Sequence, residues 1–181
     1  MKRRAVFLDR DGVINQVFIR DGKARAPDRL DQFEFFPGVH EAVKALKQAG
    51  FLTIVVTNQP DVHRGWQKRE IVDQMNDLVR RELEVDDVKV CFHVREHECA
   101  CRKPKAGMLL ESAIEWEIDL QNSFMIGDRF SDLQAGKLAG CKSILVGSGE
   151  GAEDESIERL TPAAQVSSLL EASEFILANK V

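Results

Sequence analysis

Two carboxylates separated by one residue, in the segment Asp9-Arg10-Asp11-Gly12, are the strongest indication of chemistry in the sequence. They come directly after the apolar run Ala5-Val6-Phe7-Leu8, which is typical of a buried strand. Carboxylates at the mouth of such a strand are costly to bury unless their charge is compensated. A metal ion, a lysine and a phosphate substrate would compensate it, and the same groups serve phosphoryl transfer through an aspartyl-phosphate.

Groups suited to phosphate occur further along the chain. Thr57 and Asn58 come at the exit of an apolar run, where a hydroxyl, an amide and free backbone N–H groups suit phosphate oxygens. Lys103 precedes Pro104, and the residue before a proline is biased towards an extended conformation. We therefore expect Lys103 to project from a loop just before a helix and to supply the cation.

Two further carboxylates, Asp128 and Asp132, follow Gly127. Brought together with Asp9 and Asp11, they would repel one another unless a cation lay between them. Mg²⁺ prefers oxygen ligands and is usually held by one or two carboxylates, water and substrate phosphate. The carboxylates therefore predict a catalytic Mg²⁺ site.

Each motif also has an ordinary structural explanation when taken alone. Asp-Gly pairs are common in turns, Thr-Asn pairs in caps and turns, and single lysines on solvated surfaces. A calcium-binding EF-hand loop is excluded, because its sixth and twelfth positions counted from Asp9 are Ile14 and Arg20 rather than glycine and glutamate. The common order of the motifs, each placed near the end of a predicted element, favours catalysis.

Strand-like and helical segments alternate along the chain. Apolar runs predict strands over residues 5–8, 51–56, 88–92, 123–126 and 143–146, and helical spacing predicts helices over 39–49, 71–83, 108–118, 131–139 and 169–177. Ser131 and Gln134 have the spacing of a capping box. This alternation indicates an α/β fold, a three-layer Rossmann-like parallel sheet with helices on both faces. Ligands bind outside the carboxyl ends of such strands, where the polar residues above would lie.

Length and composition limit the possible classes of protein. With 181 residues and 44% hydrophobic content, we expect a single soluble domain over residues 1–181, and the stretches 12–36 and 58–103 leave no room for a large cap. A net charge of −5 argues against nucleic-acid binding. No apolar stretch has the length of a membrane span, and the apolar run after Met1-Lys2-Arg3-Arg4 is too short for a signal peptide. We expect a cytoplasmic monomer that binds neither membranes nor nucleic acid.

Taken together, the motifs resemble those of a known enzyme family. Asp9-x-Asp11-Gly12, Thr57-Asn58, Lys103 and Gly127-Asp128-x-x-x-Asp132 are similar, in order, to the four motifs of the haloacid dehalogenase-like phosphatases. The resemblance implies that Asp9 is the nucleophile and that Asp11 acts as general acid and base. Mg²⁺ would be held by the side chains of Asp9 and Asp128 and the backbone carbonyl of Asp11. The other implied roles are orientation of Asp9 by Lys103, phosphoryl binding by Thr57 and Asn58, and support of the metal shell by Asp132.

A second constellation lies at residues 91–101. Cys91, His93, Cys99 and Cys101 offer three thiols and one imidazole within eleven positions, which suits a tetrahedral, structural Zn²⁺. The alternatives are one disulfide or reduced cysteines without a metal, and the expected cytoplasmic location weighs against the disulfide. His97 competes with His93 as the fourth ligand, and spacing alone leaves that choice open.

The Cys/His cluster also indicates which subgroup of this family the sequence resembles. Cys-x-His…Cys-x-Cys-Arg-Lys-Pro is similar to a capless subgroup that includes heptose 1,7-bisphosphate and histidinol-phosphate phosphatases, in which Arg102 would help Asn58 and Lys103 to bind substrate phosphate. The short loop between His93 and Cys99 resembles the histidinol-phosphate enzymes, and an Asp-His-Gly-Tyr-like segment of the heptose enzymes is missing. Asn15 and residues 33–38 are closer to the heptose enzymes. The prediction is a Mg²⁺-dependent phosphatase of a small phosphorylated metabolite, preferably D-glycero-D-manno-heptose 1,7-bisphosphate, with histidinol phosphate as the alternative.

Three further interpretations concern loops and class. Residues 16–32 carry Arg20, Lys23, Arg25 and Arg29, which are typical of a solvated loop or, alternatively, of contact with a second anionic group on the substrate. The glycine- and acid-rich segment 147–155 predicts a mobile loop. A zinc-organised binding module without turnover is the alternative from another class, and the Asp9/Asp11 pair weighs against it.

Overall fold

The structure is a computed structural model that describes residues 2–20, 22–149 and 160–179. The side chains of Arg20 and Lys23 lie outside this description, as does most of the predicted loop at 147–155. The strands are β1 (Arg4–Leu8), β2 (Phe18–Arg20), β3 (Lys23–Arg25), β4 (Phe51–Asn58), β5 (Asp87–Cys91), β6 (Phe124–Gly127), β7 (Lys142–Val146) and β8 (Ala164–Val166). The helices are α1 (Val39–Gln48), α2 (Pro60–His63), α3 (Arg69–Leu83), α4 (Gly107–Glu115), α5 (Phe130–Ala139) and α6 (Leu169–Ala178).

Six of the strands form one parallel sheet in the order β5-β4-β1-β6-β7-β8. Strand β1 lies in the middle, paired with β4 on one side and β6 on the other. Because all six strands run the same way, their carboxyl ends share one edge of the sheet. The polar residues that follow β1, β4 and β6 are thereby brought together.

The two faces of the sheet bury separate apolar clusters. Along β1, Val6 and Leu8 face one cluster and Ala5 and Phe7 face the other, as the period of two in a strand requires. The first cluster packs against α1, α3 and α6, and the second packs against α4 and α5. The predicted three-layer α/β fold is confirmed, and no large cap domain is found among the described residues.

The structure adds elements that the sequence prediction missed. Strands β2 and β3 form an antiparallel hairpin within the segment predicted to be a loop, and the three-residue strand β8 extends the sheet beyond β7. Strand β4 also continues through Thr57 and Asn58, so these two residues end the strand rather than follow it. No helix in the described part of the chain has the length and apolarity needed to cross a bilayer.

The predicted capping box of α5 is wrong by two positions. The helix begins at Phe130, its N-cap is Arg129, and the backbone N–H of Arg129 donates to Asp132 Oδ2 at 3.1 Å. Asp132 therefore occupies the third helical position, where a carboxylate satisfies the cap and complements the helix dipole. Ser131 and Gln134 lie within the helix instead.

Candidate active site

A cleft of about 770 Å³ lies at the carboxyl ends of the central strands. Asp9 follows β1 and Thr57 is the penultimate residue of β4, and both face this cleft together with Lys103 and Asp132. The other lining residues are Asp11, Ala24, Arg25, Ala26, Asn58, Gln59, Pro60, Asp61, Arg64, Trp66, Arg95, Glu98, Cys99, Arg102, Pro104, Lys105, Arg129 and Ser131. The structure thus brings the sequence-predicted catalytic residues to one place.

Lys103 is buried between two carboxylates. Its Nζ atom lies 2.7 Å from Asp9 Oδ1 and 2.6 Å from Asp132 Oδ1. Burial opposes the charge on the ammonium, but the Asp132 and Asp9 carboxylates outweigh burial and hold the pKa of Lys103 well above its ordinary value. Lys103 is therefore placed to neutralise and orient Asp9, which is the role that the sequence resemblance implies.

Asn58 fixes the backbone of Lys103. Its Nδ2 atom donates to the carbonyl oxygen of Lys103 at 3.0 Å, and its Oδ1 atom accepts from the Lys103 backbone N–H at 3.2 Å. Both ends of this amide are engaged by the loop that carries the lysine. The side chain of Asn58 therefore positions Lys103, while its predicted contact with the phosphoryl group stays a prediction.

Three carboxylates form a group with the geometry of a cation site. One carboxylate oxygen from each of Asp9, Asp128 and Asp132 lies within 4.8 Å of the other two. The buried Oδ1 atom of Asp128 has no hydrogen-bond partner among the described residues. Such an orphaned oxygen beside two other carboxylates fits a divalent cation with oxygen ligands.

The pKa values in this group reflect the same crowding. Burial raises the pKa of Asp9 to about 6, with Lys103 opposing this rise and Asp132 adding to it. Burial, followed by the charges of Asp9 and Asp132, raises the pKa of Asp128 well above its ordinary value. A bound cation would offset the repulsion between these carboxylates and favour their ionised forms.

Two glycines allow the carboxylates to approach. A Cβ atom at Gly12 would overlap the carboxylate of Asp128, and one at Gly127 would overlap the side chain of Asp132. Gly12 also has a φ of +94°, a conformation that other residues rarely adopt. Both positions therefore require glycine, because any larger residue would displace Asp128 or Asp132.

The carboxylate of Asp11 lies at the cleft in a hydrogen-bond network that is separate from the group formed by Asp9, Asp128 and Asp132. Its oxygens accept hydrogen bonds from the fully buried Arg10 at 3.0–3.3 Å, from Asn15 Nδ2 at 3.0 Å and from Gln59 Nε2 at 2.6 Å. Burial alone would raise the pKa of Asp11, but Arg10 and these donors outweigh it and lower the pKa. The side chain of Asp11 stays out of the carboxylate group, which fits the implied metal contact through its backbone carbonyl.

This network was not foreseen from the sequence. Arg10 also donates to Asn76 Oδ1 at 2.8 Å, which ties the Asp11 loop to helix α3. Gln59 donates a second hydrogen bond to Thr57 Oγ1 at 2.8 Å and so links Asp11 to the predicted phosphate-binding hydroxyl. Only the position of Arg10 between the two carboxylates could have suggested its role.

Cys91, His93, Cys99 and Cys101 converge on one point. Their three sulfurs and His93 Nδ1 all lie within 4.8 Å of one another. The sulfur–sulfur distances are 3.2, 3.4 and 3.8 Å, close to the separation of about 3.8 Å expected for thiolates around a tetrahedral zinc with bonds of about 2.3 Å. All four thiols of the chain are free, so the disulfide alternative is not observed.

The structure distinguishes between the two candidate histidines. His93 Nδ1 lies 3.2 Å from the sulfur of Cys101 and 3.6 Å from that of Cys91. His97 instead packs its ring against His63, with a centroid distance of 4.3 Å, and stays outside the group. His93 is therefore the residue placed to be the fourth ligand.

The Cys/His group is joined to the active site through a short segment. Arg102 Nη1 donates to the carbonyl of His93 at 3.2 Å, and Lys103 follows directly. Burial lowers the pKa of Arg102, and the positive charges of Arg64 and Arg95 lower it further. Several cations thus converge at the rim, as an anionic substrate requires.

The predicted basic loop contributes part of this rim. Arg25 lines the cleft, whereas Arg29 pairs with exposed Asp31 at 2.7 Å and is not among the lining residues. Arg25 is therefore placed where it could meet substrate, whereas the position of Arg29 is that of a solvated loop residue; contact of Arg25 with a second anionic group stays a prediction.

Comparison with known proteins now decides the family. A sequence model of the HAD-hydrolase-like family matches residues 100–172. The D-glycero-beta-D-manno-heptose-1,7-bisphosphate 7-phosphatase of Pasteurella multocida (strain Pm70) is 38% identical over 160 residues, which cover 82% of this chain and 84% of that protein. The chain belongs to the haloacid dehalogenase-like (HAD) phosphatases.

Two other proteins are similar to this HAD phosphatase over most of its length. The D-glycero-alpha-D-manno-heptose-1,7-bisphosphate 7-phosphatase of Campylobacter jejuni is 35% identical over 158 residues, covering 86% of this chain and 88% of that protein. The crystal structure of D,D-heptose 1,7-bisphosphate phosphatase from B. bronchiseptica, complexed with magnesium and phosphate, has a TM-score of 0.82 and 31% identity, covering 97% of this chain and 98% of that one. This HAD phosphatase is accordingly an enzyme that hydrolyses a phosphomonoester.

Proposed function

We propose that this HAD phosphatase removes the 7-phosphate of D-glycero-D-manno-heptose 1,7-bisphosphate with Mg²⁺ as its catalytic metal. The observation that carries the proposal is the similarity to heptose-1,7-bisphosphate 7-phosphatases over more than four fifths of the chain. The cleft supports it, because Asp9, Lys103 and Asp128 lie together in the arrangement that phosphoryl transfer needs. We expect the enzyme to act as a monomer.

The chemistry divides between the two carboxylates. An Oδ atom of Asp9 attacks phosphorus, the ester P–O bond breaks, and the leaving sugar oxygen takes a proton from Asp11. Asp11 then accepts a proton from water, whose oxygen attacks phosphorus and releases phosphate and free Asp9. The donors around Asp11 favour its ionised form, which is the form that the second step uses, whereas the first step requires Asp11 to carry a proton against this preference.

Mg²⁺ would be held by Asp9, Asp128 and the backbone carbonyl of Asp11, where it would neutralise charge on the transferring phosphoryl group. Asp132 supports this arrangement through Lys103, to which its Oδ1 atom is paired at 2.6 Å. Thr57 adds a hydroxyl that Gln59 orients at 2.8 Å. Arg102 at the cleft rim adds a cation for the substrate phosphate.

Kinetics on a panel of substrates test the proposal. We expect kcat/KM with Mg²⁺ to be highest for one anomer of heptose 1,7-bisphosphate and at least about 100-fold lower for histidinol phosphate, because a site built for polar substrate groups rejects molecules that lack them. The relatives act on the alpha anomer in one case and the beta anomer in another, so both belong in the panel. A higher kcat/KM for histidinol phosphate would overturn the heptose assignment and keep the phosphatase.

We further propose that Cys91, His93, Cys99 and Cys101 hold a structural zinc. Three sulfurs and one imidazole nitrogen leave no open position for substrate. The metal would fix the segment that carries Arg102 and Lys103, since Cys101 precedes Lys103 by two positions. The role of the zinc in catalysis is thus one of positioning.

Changing Cys101→Ser tests this zinc. We expect metal content to fall from about one zinc per chain, the melting temperature to drop, and kcat/KM to fall by about 10-fold or more as Lys103 shifts. Cys141→Ser is the matched control, because Cys141 packs beside the apolar cluster and lies outside the Cys/His group. Full zinc-independent activity in the Cys101→Ser enzyme would contradict the proposal.

A further inference from the structure

Trp66 is an exposed aromatic side chain in the catalytic cleft. It lines the same cavity as Asp9 and Thr57, yet 64% of its surface is exposed. A large aromatic ring in a ligand cleft offers flat apolar area that a bound molecule can cover. Neither step of the proposed phosphoryl transfer uses Trp66. Its position in the cleft suits contact with a part of the substrate that does not react.

The indole ring is held in place by its neighbours. The guanidinium carbons of Arg25 and Arg64 lie 5.5 Å and 5.2 Å from the ring centroid, within the range of cation–π contacts. The backbone N–H of Trp66 donates to the carbonyl of Asp61 at 2.9 Å. The ring is therefore positioned before any substrate arrives, which lowers the entropy lost on binding.

Asp61 connects the two arginines of this wall. Its Oδ1 atom lies 2.9 Å from Arg64 Nη1, and its Oδ2 atom lies 3.7 Å from Arg25 Nη1. Asp61 offsets part of their positive charge and holds both guanidiniums beside the ring. Gln67 Nε2 also donates to the Pro27 carbonyl at 2.9 Å, so the hairpin segment and the segment after α2 form one continuous wall.

We propose that Trp66 and Arg25 form the subsite for the part of the substrate that does not react, which makes Trp66 a specificity-determining residue. This inference rests on the proposed function. The C–H face of the sugar chain would lie against the indole, and the second phosphate would reach the Arg25 guanidinium. Asp9 and Trp66 line one cavity, so a bisphosphate with a sugar between its two phosphates could contact both.

The test compares two substrates in Trp66→Ala and Trp66→Phe. Heptose 1,7-bisphosphate would use the subsite, whereas acetyl phosphate has neither a sugar nor a second phosphate. We expect Trp66→Ala to lower kcat/KM for the bisphosphate by about 10-fold or more and to leave acetyl phosphate within about twofold, with Trp66→Phe retaining most of the activity. An equal loss on both substrates would show a structural role and overturn the subsite.

The arginines provide a matched pair of variants. Arg25→Gln is expected to raise KM for the bisphosphate by about 10-fold with little change in kcat, because it removes a contact made equally before and during reaction. Arg29→Gln is the control, since Arg29 belongs to the same segment but pairs with Asp31 outside the cleft. Equal effects of the two changes would contradict the assignment of Arg25.

The substrate preference of the wild-type enzyme distinguishes failure of the proposed function from failure of the proposed subsite. A wild type that does not prefer heptose bisphosphate over acetyl phosphate would overturn both the proposed function and the subsite. A wild-type preference that survives unchanged in Trp66→Ala would overturn the subsite alone. Loss of that preference in Trp66→Ala, with acetyl phosphate turnover retained, is the result that the subsite predicts.

Discussion

Changing Lys103→Met is expected to lower the free energy of unfolding by about 3–5 kcal/mol above neutral pH and to abolish turnover. The ammonium of Lys103 is buried against Asp9 and Asp132, at 2.7 Å and 2.6 Å, and methionine leaves both carboxylates without their cation. Removing one member of a buried ion pair is strongly destabilising because the remaining charge cannot be solvated. Chemical unfolding followed by circular dichroism measures this change.

The deficit of Lys103→Met should depend on pH in a defined direction. The pKa of Asp9 is raised to about 6, so its protonated form is favoured in the folded state, and this stabilisation is lost as pH rises through about 6. Without Lys103, which opposes the rise, the pKa of Asp9 increases further. The loss of stability should therefore be largest above neutral pH and shrink on acidification.

Lys105→Met is the matched control for this prediction. Lys105 lies two positions further along the chain, and its Nζ atom contacts only the backbone carbonyl of Glu98, at 2.6 Å, among the partners found in the described residues. We expect its unfolding free energy to stay close to that of the wild type at every pH. A Lys103→Met deficit that is constant with pH, or that is matched by Lys105→Met, would contradict the ion-pair account.

Asp9→Asn is expected to lower kcat by about 10⁴-fold or more while the protein stays folded. The amide has nearly the shape of the carboxylate but cannot attack phosphorus. Lys103 keeps its partner Asp132, and repulsion with Asp128 is removed, so we expect unchanged or higher stability in the absence of metal. Phosphate release with heptose 1,7-bisphosphate measures the activity, and undiminished turnover would exclude Asp9 as the nucleophile.

The sequence predicted those site residues whose places follow from strand order. Asp9, Thr57 and Asp128 each lie at or just after the end of an apolar run, and parallel pairing must bring such ends to one edge of the sheet. Lys103 was predicted from its place before Pro104 and from the need for a cation. The convergence of the Cys/His cluster also follows from short spacing within one segment.

Other parts of the site depend on contacts that spacing does not encode. The Arg10–Asn76 hydrogen bond joins residues 66 positions apart, and the choice of His93 over His97 depends on the path of the loop. Asp132 pairs with Lys103, belongs to the group of three carboxylates and caps helix α5. The sequence suggested only its place beside the metal. The β2–β3 hairpin, in contrast, could have been predicted from the sequence. Asp21-Gly22 between two short strand-like runs is a hairpin signal, which the interpretation of residues 16–32 as a loop overlooked.

The covalent state of Asp9 during turnover tests the central claim most directly. The enzyme is mixed with Mg²⁺ and heptose 1,7-bisphosphate, quenched in acid within one turnover, digested and examined by mass spectrometry. The account predicts a phosphoryl group on the peptide that contains Asp9, absent in Asp9→Asn. Release of phosphate at the full rate without any phosphorylated Asp9 peptide at any quench time would contradict it.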